Sequence, residues 1–112
     1  MNGALTGKTS VVIEGRTWVL ALDFNAMCAF EEKTGKNAFG VISAFEQGAI
    51  NALDLRALMW SMLVVNQPEV TLEEAGVILT VAPEALKKAM DMASPKSKPG
   101  DKPGKPKALA RG

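Results

Sequence analysis

The chain has no histidine, no tyrosine and a single cysteine in 112 residues. Without histidine, the commonest general base and the commonest metal ligand are both missing, so a nucleophile–imidazole pair cannot be assembled. Cys28 has no second thiol for an internal disulfide, which fits a reducing compartment, and a free cysteine of this kind reads as a small buried hydrophobe. Long apolar runs are lacking too. The longest, Ala57–Val65, is about half of the ~20 residues that a bilayer span requires. The start of the chain has no charged segment followed by an apolar stretch, so a secretion signal is not expected. These absences point to a soluble, cytoplasmic protein with no membrane contact.

Catalytic and cofactor signatures are equally scarce. Glu31-Glu32 and Glu73-Glu74 are adjacent pairs, and neighbours on a helix point roughly 100° apart, so neither pair converges on one reacting atom. They read as solvated faces and caps. No glycine-rich phosphate loop, zinc spacing or calcium loop occurs. The expectation is a non-enzymatic chain with no cofactor, no metal and no catalytic residue.

What the chain does have is apolar side chain and an uneven charge distribution. Counting glycine, roughly 60% of residues 1–94 are apolar, against about 45–50% in ordinary globular domains. A body this small has little interior in which to hide the excess, so an exposed apolar patch is expected, and such patches mark interaction sites. The formal net charge of +1 hides a basic tail. Lys96, Lys98, Lys102, Lys105, Lys107 and Arg111 face only Asp101 there, which leaves the preceding body acidic. An acidic body repels phosphate, so nucleic acid is expected to bind weakly at most, and only through the tail. The plainer reading of the tail is a solubilising extension, since it has no aromatic residue to stack on bases.

The pattern of residues predicts an α+β chain, mainly α: an N-terminal β-hairpin, then four to five short helices. Residues 1–8 are read as a flexible N-terminus, 9–93 as a single hairpin-plus-helix domain, and 94–112 as a disordered Lys/Pro/Gly-rich tail. Thr9–Glu14 and Thr17–Leu22 carry β-branched and aromatic residues, and Gly15-Arg16 between them is compatible with a type II′ turn. Asp23 or Asn25 can cap a helix over 24–34 that stops at Gly35, with Phe24, Met27, Cys28 and Glu31 on one face. Helices over 37–47, 52–65 and 72–80 follow, the last opened by the capping box Thr71-Leu72-Glu73-Glu74. Pro83 suits the first turn of a final helix, with Leu86, Ala89, Met90 and Ala93 on its apolar side.

The helix over 52–65 suggests the partner surface. Leu55, Leu58, Met59, Met62, Leu63 and Val65 form one broad stripe, while Trp60 and Val64 fall on the opposite side. Trp60 is either a core residue or an interface anchor, and Trp18 on the hairpin has the same two readings. The Trp60/Val64 face, together with an exposed side of the last helix around Leu86 and Met90, is the expected partner-binding surface.

Four sequences occur in a telling order: Val11-Val12-Ile13-Glu14-Gly15-Arg16-Thr17-Trp18, then Asn25 to Lys36 (NAMCAFEEKTGK), Leu55-Arg56-Ala57-Leu58-Met59-Trp60, and Thr71-Leu72-Glu73-Glu74-Ala75-Gly76. In these the chain resembles the tail assembly chaperones of phages and gene transfer agents. The resemblance spans Val11 to about Ala93 and excludes the basic tail. It implies an assembly factor that acts in the bacterial host cytoplasm and is encoded upstream of the tape measure protein. Such a factor coats that protein, recruits the major tail tube protein and leaves before the particle is complete. Self-association is compatible with this role. The alternative is a structural tail-completion, connector or tail tube-associated protein that stays in the particle.

Overall fold

The computed structural model describes residues 8–93. Two antiparallel strands, β1 (Lys8–Ile13) and β2 (Arg16–Ala21), form a hairpin in continuous register from Ile13↔Arg16 to Lys8↔Ala21. Five helices follow: α1 (Phe24–Thr34), α2 (Ala38–Glu46), α3 (Ala52–Val64), α4 (Leu72–Val81) and α5 (Pro83–Ala93). The expected fold class is the one observed. The expectations for 94–112 and for residues 1–7 lie outside the described residues, and Lys8 belongs to β1 rather than to a flexible start.

The turn differs from the expectation by one residue. Glu14 and Gly15 are its central pair, with φ of 52° and 81°. Positive φ at both positions is the requirement of a type I′ turn, whose twist matches that of the flanking strands, so Arg16 is released into β2. Glu14 is the only described non-glycine residue with positive φ.

Four of the five helices start where a short polar side chain can replace a missing backbone partner; α5 starts with Pro83 instead. Asp23 Oδ1 accepts from the Ala26 N–H at 2.8 Å, and Gly35 ends α1 in the left-handed region at φ 75°. Asn37 Oδ1 caps α2 by accepting from Phe39 and Gly40, and Asn51 caps α3 through the Asp54 N–H. Both halves of the Thr71–Glu74 capping box form at 3.0 Å. Ala82 alone joins α4 to α5, and its N–H closes the α4 ladder on the Ile78 carbonyl.

α3 is the axle of the body, packing against α1, α4 and β2, while α5 covers the hairpin and touches α4. Six of its side chains, Ala57, Leu58, Met59, Ser61, Met62 and Leu63, are buried, and together they go most of the way round the helix. Only the Ser61 hydroxyl needs a polar partner there, and it donates to the Leu58 carbonyl at 2.7 Å. Around this axle sit Trp18 and Leu20 from β2, Phe30 from α1, Ala75 and Ile78 from α4, and Leu86 and Met90 from α5.

Two expectations are corrected here. Leu86 and Met90 are 1% and 6% exposed, so α5 turns its apolar side inward and offers Lys87, Lys88 and Asp91 to water. An amphipathic helix on a small body buries the stripe that would otherwise be its interface. Cys28 is exposed rather than buried, because α1 meets the core through Ala26 and Phe30.

Candidate functional site

The apolar excess does reach the surface, at positions the sequence pattern did not single out as a partner site. Among the described residues, Val12, Phe24, Phe39, Leu53, Val65, Val77 and Val81 are the exposed large hydrophobic ones. They fall into distinct places. The Phe24 and Phe39 rings meet edge to face, 6.4 Å between centroids, where α1 and α2 approach each other. Val77 and Val81 lie one turn apart on the outer side of α4, whose inner side holds Ala75 and Ile78.

Val77 also lines an open groove of about 580 Å³ between the hairpin tip and the first turns of α4. Ile13, Arg16 and Trp18 form the hairpin wall, and Thr71, Glu73, Glu74, Val77 and Ile78 form the helical wall. The strand period brings Arg16 and Trp18 to one face, and the helix period brings Glu74, Val77 and Ile78 to the facing side. Ile13, Trp18, Val77 and Ile78 supply the apolar part of this lining, and Glu14, Arg16, Thr71, Glu73 and Glu74 the polar part. Glu74 is already committed to the Thr71 N–H. The groove suits an apolar stripe whose flanks carry some positive charge.

Trp18 is 6% exposed: it belongs to the hydrophobic core, and the Arg16 guanidinium lies over its ring at 3.8 Å from the centroid. Arg16 is itself tethered to Glu69 at 3.6 Å, in an ion pair open to solvent on both sides. Such a pair is weak, so the cover over Trp18 is held mainly by stacking.

Trp60 sits elsewhere, and combines both of its sequence readings. It is half-buried, with its indole N–H donating to the Val70 carbonyl at 3.1 Å and the Lys33 ammonium 5.0 Å above its ring. Val64, one turn on, is also half-buried and packed against the core. The structure thus keeps Trp60 and Val64 together at the margin of the core, places Trp18 at the groove, and withdraws Leu86 and Met90 into the interior.

In the sequence Gln67 stands out only because Pro68 after it disfavours helical geometry and ends the helix. Its amide oxygen accepts from the Val19 N–H at 2.7 Å, and its amide nitrogen donates to the Val19 and Leu63 carbonyls at 3.0 and 2.6 Å. It therefore fixes the hairpin, and with it the Arg16/Trp18 wall, to the end of α3. No periodicity signals a long-range side-chain contact of this kind.

Among the described residues no group of acidic or cysteine side chains could hold a metal ion, and no helix is long and apolar enough to cross a membrane. Neither a curated protein nor a solved structure gives a match. The family model described as "Phage tail tube protein, GTA-gp10" matches residues 6–94, which takes in both strands and all five helices. The chain belongs to this phage and gene-transfer-agent family of tail assembly chaperones, a non-enzymatic family.

Proposed function

We propose that this protein is a chaperone for the tape measure protein, acting in the cytoplasm of the bacterial host. It keeps that long helical client soluble and helps to bring the major tail tube protein to it. The observation that carries this reading is the apolar groove between the hairpin tip and α4, continued along α4 by Val77 and Val81. A helix with an apolar stripe docks into such a groove by its i, i+3, i+4 and i+7 side chains. Modest affinity at each site is enough for the protein to be displaced later, and copies that also contact one another along a long client would add avidity.

In this reading Ile13 and Val77 make the central apolar contact, the Arg16 guanidinium stacked on buried Trp18 lies between them, and Glu14 and Glu73 face basic residues on the client. The outer edges of Trp60 and Val64 extend the apolar surface on another side of the body. Leu86 and Met90 support it from within and do not touch the client.

Co-expression with the tape measure protein tests this. Val77 is 57% exposed, so Val77→Asp leaves the body folded and puts a charge into the groove. Recovery of soluble client should fall strongly. A folded Val77→Asp protein that recovers as much client as the wild type would refute the groove as the client site.

The family's description as a tail tube protein favours a second reading, in which the protein is a tube-associated or tail-completion component retained in the particle. The described residues form one two-stranded sheet, whereas a tube ring requires more strands than a lone hairpin supplies. Mass spectrometry of purified particles separates the readings: a chaperone is absent, and a retained component is present in stoichiometric amount.

A further inference from the structure

The two edges of the hairpin are treated differently by the fold. Along β2 the residues whose backbone groups point away from β1 are Thr17, Val19 and Ala21, and the Val19 pair is occupied by the Gln67 amide. Along β1 the equivalent residues are Lys8, Ser10 and Val12. Among the described residues, the outward N–H and C=O groups of Ser10 and Val12 meet no backbone partner. Apart from Lys8 at its start, β1 carries little protection of a free edge: its register is unbroken by a bulge, it contains no proline, and Val12 is 65% exposed.

We propose that β1 pairs antiparallel with β1 of a second copy, turning two hairpins into one four-stranded sheet. This inference does not depend on the client groove. The strand's own residues select the register. With Val11 facing Val11 of the other copy, Ser10 and Val12 exchange backbone hydrogen bonds across the two-fold axis, about four in all. Thr9 then faces Ile13 on the half-buried side, extending the apolar layer over the core. Lys8 of each copy lies beside Glu14 of the other, joining opposite charges at both ends of the shared sheet. Shifting the pairing so that Ser10 faces Ser10 moves Lys8 opposite Val12 and loses that complementarity.

Sedimentation equilibrium of the full chain over about 20–500 µM, the range expected of a small interface, should show a reversible dimer. Val12→Pro removes the outward N–H without touching the β1–β2 hydrogen bonds, since Val12 faces Thr17 in a non-hydrogen-bonded pair. That variant should be monomeric at every concentration, with an unchanged far-ultraviolet circular dichroism spectrum. Lys8→Glu should weaken the dimer about tenfold, and Lys8→Glu with Glu14→Lys should restore it.

Register is read by disulfide trapping in a Cys28→Ser background. Val11→Cys, at the two-fold axis in a closely spaced pair, should oxidise to a covalent dimer, and Ser10→Cys should not. A wild-type chain that stays monomeric throughout, or equal trapping by both cysteines, would overturn the proposal. So would a monomeric wild type whose Val12→Pro variant loses a different co-purified tail protein, because the edge would then belong to that partner.

Discussion

Gln67 stands beside Val19 as a neighbouring strand would, accepting from its N–H at 2.7 Å and donating to its carbonyl at 3.0 Å. One side chain thereby gives the hairpin's inner edge a partner and binds it to α3 through the further bond to Leu63. Gln67→Ala leaves these buried backbone groups poorly satisfied, and should cost about 2–3 kcal/mol in urea unfolding. Gln67→Glu should not rescue it, because a carboxylate cannot donate to the Val19 and Leu63 carbonyls.

The hairpin turn can be improved. Glu14 adopts φ 52°, where a residue with a long side chain is disfavoured and asparagine is tolerated, and the next residue is already Gly15. Glu14→Asn should raise stability by about 0.5–1 kcal/mol, measured by urea unfolding at low micromolar concentration so that self-association does not contribute.

Gly40 lies inside α2 with nothing within 4 Å of where a Cβ would stand. Gly40→Ala should stabilise the protein by about 0.5–1 kcal/mol, seen as a rise of a few degrees in the thermal midpoint.

The two tryptophans should answer differently to a quencher. In single-tryptophan variants, acrylamide should reach half-buried Trp60 more readily than Trp18, which lies under the Arg16 guanidinium. Arg16→Ala should increase quenching of Trp18 and leave Trp60 unchanged. Equal quenching of Trp18 with and without Arg16 would show that the guanidinium does not cover the ring.

Cys28 should react with a thiol reagent in the folded protein at a rate independent of added denaturant at low concentration, since it is already exposed on α1.

Local rules carried most of the fold. The capping box at Thr71, the asparagines and Asp23 at helix starts, Gly35 at a helix end and Pro83 in a first turn each solve a backbone problem visible within four residues. The apolar wheel of α3, a stripe on one side with Trp60 and Val64 on the other, is also the pattern of a helix covered from several sides. What local rules could not supply was the identity of the covering elements. Leu86 and Met90 look alike whether their helix faces a core or a client, and only the position of α5 across the hairpin decides it. The same holds for Phe24 and Phe39, fifteen places apart in sequence yet in contact at the surface. Gln67 escaped because its partners, 48 residues away in Val19, are main-chain atoms that leave no trace in side-chain patterning.

Because α3 is wrapped by segments that come both before and after it in the chain, its oily sides have no complete shelter during synthesis until α4 has left the ribosome. Release of a finished body is therefore a late event, and a product cut short within α4 would emerge as a sticky intermediate prone to associate with whatever is nearby. In the proposed chaperone role, the supply of copies finished through α4 limits how early a client can be guarded.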